Sequence, residues 1–227
     1  MHAVSSAFEF VGCAELREIL GVKAEDEVQL LDLLEEVSIE SIYYHTHAYF
    51  LRHQYLTGPY PNDFATWAAT QVRDRVLGER LGIIDPYEFE TLDDLREVLV
   101  TVIEDHLSKL HSVPRIDHGE AFYFVQSRLV EVPTGTVVRT LREFREGIAA
   151  VDASAIYFHF YAARIRRNRR DSDFIIWAEE GLRMPELAQS LRTIDPYMFS
   201  LEQLRGRLVE ICDTALTGGA RSGGSPA

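Results

Sequence analysis

The second half of the chain repeats, in order, the motifs of the first. Ile42-Tyr43-Tyr44-His45 returns as Ile156-Tyr157-Phe158-His159, and Asp63-Phe64 with Trp67 returns as Asp173-Phe174 with Trp177. Ile84-Asp85-Pro86-Tyr87 returns as Ile194-Asp195-Pro196-Tyr197, and Leu95-Arg96 as Leu204-Arg205. His45 and His159 are 114 residues apart, whereas Asp85 and Asp195 are 110 apart. The second copy is therefore shorter by a helical turn between His159 and Asp173, where the first carries the loop Leu56 to Pro61. Phe8-Glu9-Phe10 aligns with Phe122-Tyr123-Phe124 at the longer offset. Self-similarity at this period constrains the fold more than any single motif. It predicts repeat one over 8–111, a linker over 112–121, repeat two over 122–216 and a disordered Gly- and Ser-rich tail over 217–227.

The punctuation between these motifs is helical. Asp26 opens an apolar-periodic stretch through Leu30 and Leu34, and Ser38 opens a helix predicted from Ile39 to about Tyr55. Asn62 or Asp63 caps the next helix, which carries Phe64, Trp67 and Val72. Asp85-Pro86 is a cap followed by proline at the first helical position. Thr91 to Asp94 reads as a capping box with a short acid. Thr134, Asp152, Ser172, Asp195 and Ser200 are the candidate caps of the second copy. Phe122 to Val132 alternates, is rich in Phe, Tyr and Val, and reads as a short strand or extended arm, with Phe8 to Val11 as its counterpart. The predicted fold class is thus mainly α: two tandem, similar helical repeats in a pseudo-twofold relation, plus one or two short strands or arms.

Composition bounds the function. The chain has 227 residues and a formal net charge of −13, from 36 acidic and 23 basic side chains. Phosphate backbones and anionic lipid repel such a chain, so no nucleic-acid or membrane partner is expected. Cys13 and Cys212 are too few for a disulfide framework or an all-cysteine zinc site. The N-terminus lacks the basic and apolar regions of a signal peptide, and no apolar run spans a bilayer, which predicts a cytoplasmic protein. The expected partner is a protein or a small molecule, and a homo-oligomer is compatible with the sequence.

His45-Thr46-His47 invites a metal chelate, but on a helix residues i and i+2 point about 200° apart at 3.6 residues per turn. No metal or other cofactor is therefore expected. His45 with Asp63, and His159 with Asp173, have the residue types of acid–base chemistry. Retention in both copies points instead to the fold, with the acids as caps and the histidines bonding buried groups. What was not copied is then the better guide to function. Tyr44, His47 and His53, with Tyr49 and Arg52 near the same helix, make repeat one the more polar copy, and with His45 and Asp63 they form the expected small-molecule pocket. The five arginines Arg164, Arg166, Arg167, Arg169 and Arg170 follow a helix C-terminus, where the macrodipole favours cations. They also offer an anion or phosphate site. With His159, Arg164 and Arg166 complete the candidate ligand-binding set, and no catalytic residue is assigned.

The assembled motifs resemble a bacterial and archaeal family, domain of unknown function 5752. The resemblance rests on Ser41-Ile42-Tyr43-Tyr44-His45-Thr46-His47, Pro61-Asn62-Asp63-Phe64-Ala65-x-Trp67 and Phe122-Tyr123-Phe124-Val125. It continues through Ser154-Ala155-Ile156-Tyr157-Phe158-His159 and Ala163-Arg164-Ile165-Arg166. It implies the same domain plan over nearly the whole chain and supplies no activity. Ala162 stands where the family often has Glu, and Ser172 where it often has Asn, which implies a weakened site in the second copy.

No P-loop, G-x-G-x-x-G, G-x-S-x-G or cysteine–histidine pattern occurs. The first expectation is therefore a soluble helical binding or regulatory module. The alternatives are an enzyme with a histidine-centred site in repeat one, with or without a metal, and an anion or phosphometabolite sensor through Arg164 to Arg170.

Overall fold

The structure, a computed structural model, describes residues 6–55, 58–113, 115–116, 119–167 and 171–222. Strand β1 (Phe8–Ala24) is followed by helices α1 (Glu27–Glu36), α2 (Ile39–His45), α3 (Tyr49–Arg52), α4 (Asp63–Trp67), α5 (Arg75–Gly82) and α6 (Leu92–Leu107). Strand β2 (Phe122–Val138) then leads into α7 (Leu141–Ala150), α8 (Ala153–Tyr157), α9 (Ala163–Arg167), α10 (Asp173–Ile176), α11 (Pro185–Arg192) and α12 (Leu201–Ser222). Short π-helical segments follow α4 (Ala68–Val72), α8 (Phe158–Ala162) and α10 (Trp177–Gly181).

The expectation of a mainly α chain of helical repeats is overturned. The fold is mixed α/β, 58% helical and 18% strand, because β1 and β2 form a two-stranded antiparallel sheet. Each strand is 17 residues long, well beyond the short arms expected. Leu16, Ile19 and Leu20 of β1 fall at helical spacing, so local periodicity hides the strand. Its hydrogen bonds come from a partner far away in sequence, which local patterns do not register. Gly21 and Gly135, with φ of +75 and +74, sit inside these strands with open space where a Cβ would go. The glycines are there for their left-handed backbone, which any side chain would strain.

The chain divides into two compact units. One comprises 1–14, 54–56 and 131–227, the other 15–53 and 57–130. In the first unit the start of β1 joins helices from the far half of the sequence. Phe8 and Phe10 pack on Phe144 and Phe174, and Thr134 donates to the Phe10 carbonyl. Helix α12 lies along α7, and Arg205 donates to the carbonyls of Ile148 and Val151. In the second unit Phe122 and Phe124 enter a core with Leu30, Leu34, Ile42, Phe64, Trp67, Leu95 and Leu99. Helix α1 lies along α6, and Arg96 donates to the carbonyls of Glu35 and Val37.

Most caps fall where side-chain chemistry places them. Asp26, Asn62, Asp152, Ser172 and Asp195 each accept a backbone N–H of the helix they open. Thr91 with Asp94 forms a reciprocal box, as does Ser200 with Gln203. Thr134 is not a cap. It lies inside β2, and Thr140 opens the following helix. The helix expected from Ile39 to Tyr55 is broken at Thr46–Ala48. The expected disordered tail is helical as far as Ser222, with the Thr217 hydroxyl bonded to the carbonyls of Asp213 and Thr214. Residues 223–227 of that tail lie outside the described residues.

Candidate functional site

Each unit contains a cleft built around a histidine, an aspartate and an arginine. In the second unit His45, the last residue of α2, places Nδ1 2.9 Å from Oδ2 of Asp63, at the start of α4. Arg52 donates to the same oxygen, and to the Tyr44 carbonyl at 2.8 Å. The helix break at Thr46–Ala48 turns the chain so that Arg52 reaches back over Tyr44, its guanidinium 3.9 Å from the ring centre. The Val125 backbone N–H donates to the remaining His45 nitrogen, Nε2, at 3.1 Å. A ring whose Nε2 accepts a backbone N–H is neutral, with its proton on Nδ1 facing Asp63. Burial holds His45 below the ordinary histidine range although Asp63 opposes that shift. Burial by itself would raise the Asp63 carboxyl, but His45 and Arg52 together hold it below the usual carboxylate value.

The first unit carries the same contacts. His159 Nδ1 is 2.8 Å from Asp173 Oδ2, and Arg166 donates to that oxygen at 2.9 Å. The Arg166 guanidinium lies 3.8 Å from the Phe158 ring centre, and Val11 N–H donates to His159 Nε2 at 2.8 Å. A second bond pins each strand five residues earlier. Trp67 Nε1–H donates to the Glu120 carbonyl at 2.9 Å, and Trp177 Nε1–H to the Ser6 carbonyl at 2.7 Å.

Beside each constellation lies a cavity. The one in the second unit is about 360 Å³ and is lined by Tyr44, His45, Arg52, Asp63, Trp67 and Gln71 among others. The one in the first unit is about 570 Å³ and includes Phe8, His159, Arg166, Asp173 and Trp177 in its walls. Beyond the Asp–Arg pairs, the charged groups facing these cavities are acidic: Glu120 in one, and Glu9, Glu131 and Glu180 in the other.

Of the residues singled out in the sequence, Tyr44, His45, Arg52 and Asp63 meet at one cleft, and His159 and Arg166 at the other. His47 does not join them. It is buried, with Nδ1 3.0 Å from Thr46 Oγ1 and Nε2 3.2 Å from the Pro86 carbonyl, and it stacks on Tyr43. Burial pushes it down to about 3, so it is a neutral core residue. His45 and His47 therefore point to different partners, and no chelate forms between them. Tyr49 is buried, and burial raises its hydroxyl to about 12. His53 stacks on Tyr49, its Nδ1 lies 2.8 Å from the Tyr49 carbonyl, and it does not line the cavity. Arg164 lies 5.1 Å from the Phe160 ring centre and does not line the cavity beside Arg166. Arg169 and Arg170, and the side chain of Arg167, lie outside the described residues.

The repeated motifs do not reveal that Arg52 and Arg166 are equivalent, because one falls with the polar residues of repeat one and the other within the arginine run. Both follow their histidine by seven residues, a spacing that was available as a signal.

Comparison with known proteins agrees on lineage and is silent on activity. The family described as "Family of unknown function (DUF5752)" matches residues 5–213. No curated protein matches the chain. Among solved structures, "The structure of OrfY from Thermoproteus tenax" is similar at 25% identity and a TM-score of 0.76. The alignment covers 94% of this chain and 97% of that one.

Proposed function

The chain belongs to the DUF5752 family, whose description assigns no activity, and we propose that it is a non-catalytic binding module built from a duplicated unit with two equivalent clefts. The observation that carries this reading is the occupancy of the histidines. Each has one ring nitrogen on an aspartate and the other on a strand N–H. A general base needs a free lone pair within reach of substrate. Here that lone pair holds the strand, so the constellation works as a latch for one cleft wall.

The ligand that suits the clefts is a small molecule with a flat or apolar face and a cationic group. Tryptophan and phenylalanine supply the flat wall, and the charged residues lining the cavities beyond the Asp–Arg pairs are acidic. This disfavours the anion-sensor alternative, whose Arg166 is already committed to Asp173. Cytoplasmic placement is part of the proposal: Cys13 and Cys212 are buried and form no disulfide. Among the described residues no helix is long and apolar enough to cross a membrane.

The chain's two tryptophans, Trp67 and Trp177, sit one at each cleft. W67F and W177F variants of the full chain therefore report the clefts separately by fluorescence. Benzamidine, a flat cation, is expected to shift emission saturably, and benzoate, with the same ring and opposite charge, is not. I176R, which fills the larger cleft, should abolish the Trp177 response. Equal responses to both probes, no response at either tryptophan, or a Trp177 response that survives I176R would sink the proposal.

A further inference from the structure

Away from the cleft, the second unit gathers three metal-ligand side chains that the latch does not use. Glu27 is the first residue of α1, Asp74 caps α5, and His106 lies in the last turn of α6. One donor atom from each lies within 4.8 Å of the other two. His106 Nε2 is 2.8 Å from Asp74 Oδ2 and 4.0 Å from Glu27 Oε2. The other Asp74 oxygen is fixed by the Leu77 N–H, which aims Oδ2 inward.

Glu27 is the unusual member. It is 0% exposed, and among the described residues neither carboxylate oxygen has a hydrogen-bond partner. A buried carboxylate left bare costs several kcal/mol, so it calls for a proton or a cation. Two carboxylates and one imidazole converging from three elements form a nitrogen–oxygen donor set. Bonds of about 2.1 Å at tetrahedral angles separate donors by about 3.4 Å, between the two distances just given.

The other half of the chain supplies the contrast. Leu141 takes the place of Glu27 after its helix cap, and Met184 that of Asp74 after a left-handed arginine. Ala215 takes that of His106 in the register set by Leu95 and Leu204. All three donors are replaced by apolar residues at once, so the fold does not require them. They are retained together in one unit and absent together from the other, as ligands of a common ion would be.

We propose that Glu27, Asp74 and His106 bind a divalent transition-metal ion of the zinc class, at a nearly closed site that braces α1, α5 and α6. Burial, reinforced by Asp74 and Asp26, also pushes the Glu27 carboxyl up to about 7. A bound dication would reverse that shift.

The test uses the full chain, stripped with EDTA, desalted, and dialysed against zinc or manganese(II). One zinc per chain should survive desalting, with Tm raised by about 5–10 °C and restored to the apo value by EDTA. E27L/D74M/H106A, which installs the apolar set of the other unit, should fold, carry no zinc and show no zinc-dependent Tm. E27Q keeps the volume of Glu27; it should fold with an apo Tm at or above that of the wild type and bind zinc at least about tenfold more weakly. Wild-type chain that retains no metal and shows no Tm change with either ion overturns the assignment. So does zinc retained by the triple variant. An E27Q chain that folds and binds zinc as tightly as the wild type overturns it even where the triple variant does not fold.

Discussion

Val125 of β2 donates its backbone N–H to Nε2 of His45 across 3.1 Å, while Nδ1 of the same ring faces Asp63. Val11 of β1 makes the matching bond to His159 across 2.8 Å. A histidine that bridges a strand edge and a carboxylate closes two buried polar accounts at once. The strand N–H gains an acceptor in the ring, and the aspartate gains a donor besides its arginine.

Removing the ring should therefore cost more than a surface histidine would. H45A is expected to lose about 2–4 kcal/mol, from the unsatisfied strand N–H and the cavity left among Phe64, Phe122 and Phe124. H159A should behave alike. Urea unfolding gives the magnitude, and amide exchange at Val125 or Val11 gives the mechanism: that amide should exchange faster in the matching variant. Unchanged protection would refute the latch.

Arginine-to-lysine changes at positions 52 and 166 should not be neutral. The Arg52 guanidinium bridges Asp63 and the Tyr44 carbonyl while lying on the Tyr44 ring. An ammonium cannot cover all three at once. A loss of about 1–3 kcal/mol is expected for R52K. R166K should cost less, because Arg166 is the more exposed of the two. Equal, negligible losses in thermal unfolding would count against this geometry.

The buried histidines should weaken the fold in acid, below a pH of about 6.5, against the opposing contribution of Glu27, whose raised carboxyl takes up its proton more readily folded than unfolded. His45 and His47 are buried and neutral, with His47 pushed down to about 3. Their unfolded forms take up protons below a pH of about 6.5, while the folded forms do not. Unfolded chain then binds more protons, so stability falls with pH by about 1.4 kcal/mol per unit for each such group. The effect of His47 extends from about 6.5 toward about 3. H47Y installs the residue found at the matching position, Tyr161, and should flatten the slope between pH 6.5 and 4. A slope identical to wild type would show that His47 does not titrate with unfolding.

Gly21→Ala and Gly135→Ala should each cost about 1–2 kcal/mol although nothing crowds either site. The penalty is purely one of backbone, at φ near +75. Asn at either position should recover part of the loss, since asparagine tolerates the left-handed region better than alanine. A Tm for G21N at or below that of G21A would argue against this origin.

How much of this was written in the chain can be judged residue by residue. Helix caps are local chemistry: Asp85, Thr91 and Ser172 satisfy N–H groups two or three residues away, so sequence alone placed them, whereas the choice of Asn62 over Asp63 came from the structure. The matched motifs likewise showed which residues would recur together. The fold class was not legible, because the length of β1 depends on hydrogen bonds from β2, about a hundred residues on. The division into units was equally hidden. Phe8 and Phe10 close the core of residues 131–227, and Phe122 and Phe124 that of residues 15–130. Sequence determined that His45 and Asp63 would be paired with His159 and Asp173 in role. Only tertiary structure decided that the role was to hold a strand, because the fourth partner is a backbone N–H, which every residue but proline carries and no motif records.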